Sequence, residues 1–285
     1  MKKKYDWFDF INGAFMILLA SIFLFPMLHI IARSFSDTVA IMQNKITIFP
    51  VGFNFDAYKQ VIKDVRIPRA YLNSIIYTAV GTSVNMLMTA IAAYPLSRKD
   101  FFGRKFFINM ILVTMFFNGG LIPNYLVVKS FGLLDSMWAL IIPNAIWTIQ
   151  LLIVKSFYES LPAELGESAI IDGASQYVIL FKLIIPLSKA ALASISLMYF
   201  MGHWNSFFAP MIYLNSMEKF PLQVVLRDML IEDTVKEHNL VENSALTPEA
   251  LKSATIVLTM IPVMLVYPFA QKYFAKGIML GSVKG

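Results

Sequence analysis

The sequence predicts an all-α integral membrane protein with six transmembrane helices. Of its 285 residues, 58% are hydrophobic and only 15% are charged, whereas a soluble domain carries about 25% charged residues. Six runs without Asp, Glu, Lys or Arg approach or exceed the roughly 20 residues that a helix needs to cross a bilayer core. There is no internal repeat and no low-complexity tract, so residues 1–285 are expected to form one transmembrane domain.

The six predicted spans are joined by segments of unequal length. The spans cover residues 13–31, 71–97, 106–128, 137–154, 190–212 and 253–271. The start, MKKKYDWFDF, is basic, and no small-residue cleavage site follows the first apolar run. We therefore expect a retained first helix rather than a cleaved signal peptide.

The distribution of Lys and Arg predicts that both termini are cytoplasmic. With that orientation, 13 of the 24 Lys and Arg residues lie inside and 11 lie outside. The compact clusters KKK and SRKDFFGRK support this orientation most, because charges close to span ends in short loops have most effect on topology. We attribute the net charge of +6 to the cytoplasmic face rather than to a nucleic-acid surface. The chain has no Cys, which excludes a disulfide framework.

The long inner loop, residues 158–186, predicts two short helices joined by a glycine turn. Pro162 suits the first turn of a helix, where a missing N–H costs nothing, and Ser160 is a candidate cap for it. Gly173 suits the left-handed position just past a helix end. Ser175 is a candidate cap for the second helix.

One face of the first of these helices has almost no side chains. Gly166, Ala169 and Gly173 share that face, so another backbone can approach it closely, and Glu164 and Glu167 flank it. An amphipathic helix lying on lipid is the alternative, but such helices are usually rich in Lys and Arg. This helix is acidic, which favours docking into a protein partner.

The segment ESAIIDGASQYVILFKLIIP resembles the EAA loop of binding-protein-dependent ABC importer permeases. Glu167, Ala169, Gly173 and Pro186 match that pattern, while Ser168, Leu183 and Ile185 are mild substitutions. HWNSFFAPMIYLNSMEKFPLQVVL is similar to the fifth span of the carbohydrate-uptake subfamily. KGIMLGSVKG resembles the tail of maltose-type permeases of the MalG kind. FFNGGLIPNYL and LTPEALKSA resemble permeases of Gram-positive polysaccharide-utilisation operons.

This resemblance implies a transport subunit rather than an enzyme. The expected partners are a second related permease, a cytosolic ATPase dimer and an extracellular sugar-binding protein, in the plasma membrane of a Gram-positive bacterium. The chain has no Walker-type phosphate loop, so ATP and Mg²⁺ are expected on the ATPase and no cofactor on this chain. The resemblance assigns ATPase coupling to Glu164, Gly166, Glu167, Ala169, Asp172, Gly173 and Ala174. It assigns tail coupling to Gly277, Gly281, Lys284 and Gly285.

The expected cargo is a carbohydrate, and its contacts are sought among polar and aromatic residues of the spans. Asn118, with Gly119, Gly120 and Pro123, is expected to break the third span, and irregular backbone at membrane depth lines a cavity or is buried. The pathway candidates are Asn118, Tyr125, Trp204, Asn205 and Phe208. Packing is the alternative explanation for the aromatic stripe of Phe200, Trp204 and Phe208.

Three other functions compete with this interpretation. An ion-coupled transporter commonly uses intramembrane carboxylates, which the six runs lack, although sodium coupling through carbonyls is compatible with the sequence. A membrane enzyme needs a catalytic or metal-binding constellation, whereas His29, His203 and His238 are scattered. An importer of amino acids or peptides remains the third alternative.

Overall fold

The computed structural model describes residues 7–236 and 247–281, and these residues include no β-strand. In chain order the α-helices are α1 (Trp7–Ser34), α2 (Thr38–Met42), α3 (Asp56–Lys63), α4 (Arg66–Ser97), α5 (Arg104–Phe116), α6 (Leu121–Ser130), α7 (Trp138–Ile141), α8 (Thr148–Glu159), α9 (Ala163–Ile171), α10 (Gln176–Val178), α11 (Ile185–Leu187), α12 (Lys189–Trp204), α13 (Phe208–Tyr213), α14 (Leu222–Lys236) and α15 (Pro248–Gly281). Short 3₁₀ turns cover Ile142–Asn144 and Met217–Lys219, and a π-helical stretch covers Ile179–Ile184. The predicted all-α class is confirmed.

Three continuous helices are long and apolar enough to cross a membrane. They are α1, α4 and the part of α15 from Pro248 to Pro268. Three further pairs pass the same test only as bent pairs, namely α5 with α6 (119°), Trp138–Asn144 with α8 (51°) and Gln176–Leu187 with α12 (83°). In the described part of the chain there are thus three candidate spans, or six if each bent pair is one span.

The third predicted span breaks where its Asn and Gly residues occur. Helix α5 ends at Phe116 and α6 begins at Leu121. Gly120 has a φ of +87°, a conformation that costs glycine little. The Asn118 Oδ1 atom accepts a hydrogen bond from the Gly120 N–H at 2.9 Å and closes the turn. The predicted break is confirmed.

The fifth predicted span, 190–212, is not one continuous helix. Helix α12 ends at Trp204 with Asn205 as its cap, and α13 begins at Phe208. Pro210 lies in the first turn of α13, where its missing N–H suits a new helix start. The predicted span 190–212 thus contains a helix break at residues 205–207.

The chain divides into two compact units. The first consists of Met1–Pro68 and Val225–Ile261, and the second consists of Arg69–Val224 and Pro262–Gly285. In the first unit, the Phe35 ring packs against the rings of Phe53, Phe55 and Tyr58 at centroid distances of 5.4, 5.5 and 4.9 Å. The Tyr58 hydroxyl and Ser34 Oγ lie 2.8 Å apart. These contacts join the end of α1 to α3.

The second unit holds the EAA-like segment. Its buried core joins four elements: α4 through Ala93, Tyr94 and Leu96, α8 through Leu151, Val154 and Tyr158, the π-helical stretch through Ile179, Leu180 and Ile184, and α12 through Leu192, Ile195 and Tyr199. Pro186 has no N–H for the carbonyl four residues earlier, and the wider π turns directly precede it. Helix α9 packs against this core, which thereby fixes its position.

Candidate functional site

Helix α9 ends in a Schellman motif built on Gly173. The Ala174 N–H donates to the Ala169 carbonyl at 2.9 Å, and the Gly173 N–H donates to the Ile170 carbonyl at 3.0 Å. These are the two bonds that define the motif, and they require a left-handed residue at Gly173, whose φ is +79°. Ser175 then caps α10 by accepting from the Val178 N–H at 3.4 Å. The predicted roles of Gly173 and Ser175 are both confirmed.

The start of α9 differs from the prediction. Ser160 ends the preceding helix α8, and its Oγ donates to the Phe157 carbonyl at 2.7 Å rather than capping α9. Pro162 immediately precedes Ala163, the first helical residue, and has an extended ψ of 128°. The cap assigned to Ser160 was wrong because the chain needs two further residues, Leu161 and Pro162, to turn from α8 into α9.

The small-residue face of α9 faces its own chain. Gly166 is buried, and a Cβ placed there would lie 3.1 Å from Nη1 of Arg98. Ala169 is half-buried and packs on the core of the second unit. Gly166 and Ala169 therefore contact their own chain in this structure, and a partner contact on this face stays a prediction. Gly173 differs from both, since it is exposed and no atom lies within 4 Å of its added Cβ.

The opposite face of α9 is open. Glu164, Glu167 and Ile171 follow one another at helical spacing on this face, and all three are exposed. Ile171 is 85% exposed, and Tyr177 just beyond the turn is 77% exposed. The helix has no Lys or Arg, whereas helices that lie on a lipid surface are usually rich in both. We call Glu164, Glu167 and Ile171 the outward face of α9.

Ion pairs hold the base of α9 against the turn between α4 and α5. The Arg104 guanidinium pairs with the carboxylate of Glu159, the last residue of α8, and the Arg104 Nε–H donates to the Leu96 carbonyl at 2.8 Å. Lys155 adds a second ion pair to Glu159 at 2.9 Å. The Tyr94 hydroxyl donates to Gln176 Oε1 at 2.7 Å. The C-terminal end of α4 is thus tied to the chain on both sides of α9.

A cavity of about 780 Å³ is lined by residues of α9 and of the turn after α4. Its lining includes Arg98, Asp100, Tyr158 and Glu167. Tyr158 is 5% exposed, and no described residue forms a hydrogen bond with its hydroxyl. Helix α9 therefore has open space beside it.

The N-terminal end of α4 contacts a different loop. The Asn73 Nδ2 atom donates to the carbonyls of Glu218 and Phe220 at 2.8 and 3.1 Å, and the Tyr77 hydroxyl donates to the Lys219 carbonyl at 2.9 Å. From Tyr77 to Tyr94 the helix rises by about 26 Å. That rise is close to the ~30 Å hydrocarbon thickness of a bilayer. Loop 214–221 and α9 accordingly lie at opposite ends of α4.

A buried polar latch in the middle of α4 was not predicted from the sequence. Asn85 is 0% exposed, and its Nδ2 atom donates to the carbonyls of Asn144 and Ala145 at 2.6 and 2.8 Å. Its Oδ1 atom lies 2.5 Å from Nε2 of His203. These two carbonyls lie where the fourth span breaks, and in a membrane interior they need a donor. Gly81, Asn85 and Thr89 occur at a spacing of four residues on one face, which is the signal that identifies such a packing stripe.

Two glycines leave room for the aromatic rings that pack around this latch. A Cβ on Gly81 would lie 2.6 Å from the His203 ring, and one on Gly202 would lie 2.1 Å from the Trp147 ring. His203 thus forms a hydrogen bond between α12 and α4. His29 bonds instead to the Thr47 carbonyl, and His238 lies outside the described residues. Among residues 7–236 and 247–281, no group of His, Cys, Asp and Glu is arranged to hold a metal ion.

The pathway candidates differ in exposure and in their neighbours. Tyr125 is half-buried, and its ring lies parallel to that of Tyr213 at 6.3 Å. Trp204 is 2% exposed between Tyr71, at 5.9 Å edge to face, and Phe200, at 6.3 Å in parallel. The alternative of packing therefore fits Trp204 in this conformation.

The remaining pathway and tail candidates are at helix ends. Asn118 lies exposed in the break between α5 and α6. Asn205 caps α12 by donating to the Met201 carbonyl at 3.0 Å, and Phe208 is 52% exposed. Gly277 and Gly281 belong to α15, which extends the sixth span to Gly281. Lys284 and Gly285 lie outside the described residues.

The chain is similar to bacterial permeases over its whole length. It is 42% identical over 281 residues to the polygalacturonan/rhamnogalacturonan transport system permease protein YtcP of Bacillus subtilis (strain 168), covering 98% of both chains. It is 43% identical over 280 residues to Protein LplC of the same organism, covering 98% of this chain and 95% of that one.

A solved structure and a family model agree with these relatives. A chain of a bacterial ABC transporter involved in the import of the acidic polysaccharide alginate superposes with a TM-score of 0.87. The two chains are 33% identical, with 95% of this chain and 99% of that chain covered. Residues 86–280 match the model of the binding-protein-dependent transport system inner membrane component. The chain therefore belongs to the family of binding-protein-dependent transport system inner membrane components.

Proposed function

We infer that the chain is the membrane permease subunit of an ATP-driven ABC importer that translocates a carbohydrate. The observation that carries this inference is α9, which is anchored to its own chain on one face and open on the other. An enzyme site is not needed to explain it, and the similar proteins are transport subunits. The open face is where a cytosolic ATPase would bind.

The proposed topology has six spans with both termini in the cytoplasm. Each bent pair of helices then counts as one span. Loop 214–221 and α9 lie at opposite ends of α4, which supports placing one outside the cell and the other inside. The protein would be a multi-pass protein of the plasma membrane, and its Bacillus relatives favour a Gram-positive source.

Helix α9 would move as a rigid body and transmit the movement of the ATPase to the permease. The outward face, formed by Glu164, Glu167 and Ile171, would sit in a groove of one ATPase subunit. Asp172, Gly173 and Ala174 would shape the turn that ends this contact, while Gly166 and Ala169 would hold α9 to its own chain. The Arg104–Glu159 pair would then pass the movement of α9 to the end of α4.

The ATPase dimer would bind ATP and Mg²⁺, and its closure would move two permease subunits as rigid bodies. The tail that includes Gly277, Gly281, Lys284 and Gly285 would provide a second contact with the ATPase. An extracellular binding protein would deliver the cargo to the other side of the membrane.

The proposed cargo is an oligosaccharide from polysaccharide breakdown. The 42% identical relative is named for polygalacturonan and rhamnogalacturonan, and the 33% identical structure belongs to an alginate importer. An acidic oligosaccharide is therefore the first cargo to test. Asn118, Tyr125, Asn205 and Phe208 would offer hydrogen bonds and ring faces to a sugar, and Trp204 would join them only if the conformation changes.

The test is transport by the complete importer in proteoliposomes. The permease pair, the ATPase and the binding protein from the same gene neighbourhood would be purified together. We expect ATP-dependent uptake of labelled trigalacturonate that exceeds uptake of an arabinotriose of equal length. Uptake of neither sugar, or uptake driven by a sodium or proton gradient without ATP, would contradict the proposal.

A further inference from the structure

Loop 214–221 is held by side chains from two separate elements. The end of α4 binds the carbonyls of residues 218–220, and the Ser74 hydroxyl accepts the Leu222 N–H at 2.8 Å. The second element is the segment between α6 and α7, residues 131–137, which contributes Asp135. Asp135 is one of two non-glycine residues with a positive φ in the described chain, at 57°. Asp tolerates this conformation better than most residues.

The Asp135 carboxylate accepts four hydrogen bonds from loop 214–221. Oδ1 accepts the N–H groups of Asn215 and Ser216, both at 3.0 Å. Oδ2 accepts the Ser216 hydroxyl and the Lys219 ammonium, both at 2.7 Å. Lys219 also donates to the Asp135 carbonyl at 2.7 Å, and the Asp135 N–H donates to the Tyr213 carbonyl at 2.8 Å. We call Asp135, Ser216 and Lys219 the Asp135 clamp.

The clamp holds a loop that would ordinarily move. Connecting loops are usually mobile, and those that carry function are placed by a rigid scaffold. Here the two ends of the loop are bonded to the scaffold, while the Met217 side chain between the clamped residues is 79% exposed. Bonds to an ionised carboxylate are stronger than bonds between neutral groups. The clamp therefore fixes the position at which Met217 is presented.

We propose that Asp135 is a positioning residue for transport, which holds loop 214–221 in one geometry for the docking of the extracellular binding protein. This rests on the proposed function. The loop lies at the end of α4 opposite α9, so it faces the side from which the binding protein approaches. Because its geometry is fixed before the encounter, little conformational entropy is lost when the partner binds.

The first test is Asp135→Asn in the complete importer in nanodiscs. Asparagine also tolerates the left-handed backbone, so this change removes the charge without adding backbone strain. ATP hydrolysis is measured against the concentration of the binding protein from the same gene neighbourhood. We expect the half-saturating concentration of binding protein to rise about tenfold, because charge-assisted bonds are lost. The maximal rate of ATP hydrolysis should stay within about twofold of that of the unchanged protein, because α9 is untouched.

Two further variants separate positioning from general destabilisation. Lys219→Met breaks the same clamp from the loop side and should raise the half-saturating concentration in the same way. The double variant should be no worse than the worse single variant, since both changes remove one interaction. Asp64→Asn is the matched control, because Asp64 pairs at 3.0 Å with Arg66 only two residues away and joins no two loops.

A direct readout of the loop completes the test. Amide hydrogen exchange should speed up in residues 214–221 of Asp135→Asn and stay unchanged in α9. A half-saturating concentration equal to that of the unchanged importer would overturn the proposal, as would a loss confined to the maximal rate. If Asp135→Asn does not assemble, Lys219→Met decides. If the unchanged importer is not stimulated by any binding protein, the proposed function fails instead.

Discussion

The two ends of α4 are held in different ways. At the N-terminal end, Asn73 and Tyr77 donate hydrogen bonds to main-chain carbonyls of loop 214–221, and the Asp135 carboxylate accepts hydrogen bonds from main-chain N–H groups of the same loop. At the C-terminal end, α9 is held by the close approach of Gly166 to Arg98 and by ion pairs at its base. A cavity of about 780 Å³ lies beside it.

The difference in how loop 214–221 and α9 are held indicates that they have different roles. A loop whose backbone groups are bonded to the scaffold is built to keep its position. Helix α9 instead has open space beside it, and its Ile171 is 85% exposed. Both ends carry an exposed apolar side chain, Ile171 or Met217, and we expect the larger partner contact at the end where the chain leaves open space.

The largest effect is expected from Gly173→Leu. Its φ of +79° is strained for any residue with a Cβ, at about 1–3 kcal/mol, and the added side chain enters the space where the ATPase would sit. Sugar uptake by the reconstituted importer should fall by about tenfold or more. ATP hydrolysis should persist at a rate that no longer follows uptake.

Gly132→Leu is the matched control at the other end of α4. Gly132 has a φ of +66° and open space around its Cβ, so the backbone strain is similar. We expect a comparable loss of thermal stability in the two variants but normal coupling in Gly132→Leu. Equal uncoupling in both variants would mean that strain alone, and not the position of Gly173, explains the loss.

A smaller effect is expected from Gly166→Leu. A side chain there meets the Arg98 guanidinium, whose Nη1 lies 3.1 Å from an added Cβ, so α9 must tilt away from its own chain. Overpacking of this kind costs about 1–3 kcal/mol. Uptake should fall several-fold while the ATPase still copurifies. Because Arg98→Ala makes room, the double variant should recover part of the uptake, and no recovery would contradict this explanation.

The smallest expected effect is the response of the Asp135 clamp to a lower pH. Lys219 and the donors of Ser216 and Asn215 hold the pKa of Asp135 below its ordinary value of 3.8. A carboxylate with a lowered pKa in the folded state contributes stability above its unfolded pKa and loses it as pH falls through the folded value. The nearby titratable groups are Lys219, Tyr77 and the Arg69–Glu218 pair.

Hydrogen exchange of residues 214–221, corrected for intrinsic rates, should therefore be the same at pH 7 and at about pH 5. The Asp135→Asn variant should exchange faster at both values. Loss of protection in the unchanged protein between these values would show that the clamp carboxylate is not held in its ionised form.

The sequence predicted those features that depend on one residue and its neighbours. Gly173 past the end of α9, Ser175 as a cap and the break near Asn118 all follow from backbone preferences. Which face of α9 packs on its own chain did not follow, because Arg98 is distant in sequence and its position over Gly166 exists only in the folded chain.

Long-range polar contacts were missed for the same reason. Asn85 bonds to carbonyls about sixty positions away, and Asp135 bonds to a loop about eighty positions away. Nothing local distinguishes either residue from an ordinary turn or surface residue, apart from the stripe of Gly81, Asn85 and Thr89. The end of the tail, with Lys284 and Gly285, stays a prediction.

The most direct test of the account asks which face of α9 touches the ATPase. The chain has no Cys, so Ile171→Cys and Ala169→Cys each carry a single thiol. Each variant would be labelled with a thiol-reactive photocrosslinker in the assembled importer and irradiated. The account predicts an adduct with the ATPase from position 171 and little or none from position 169, which faces its own chain. Equal or stronger crosslinking from 169, or none from either position in an intact complex, would contradict it.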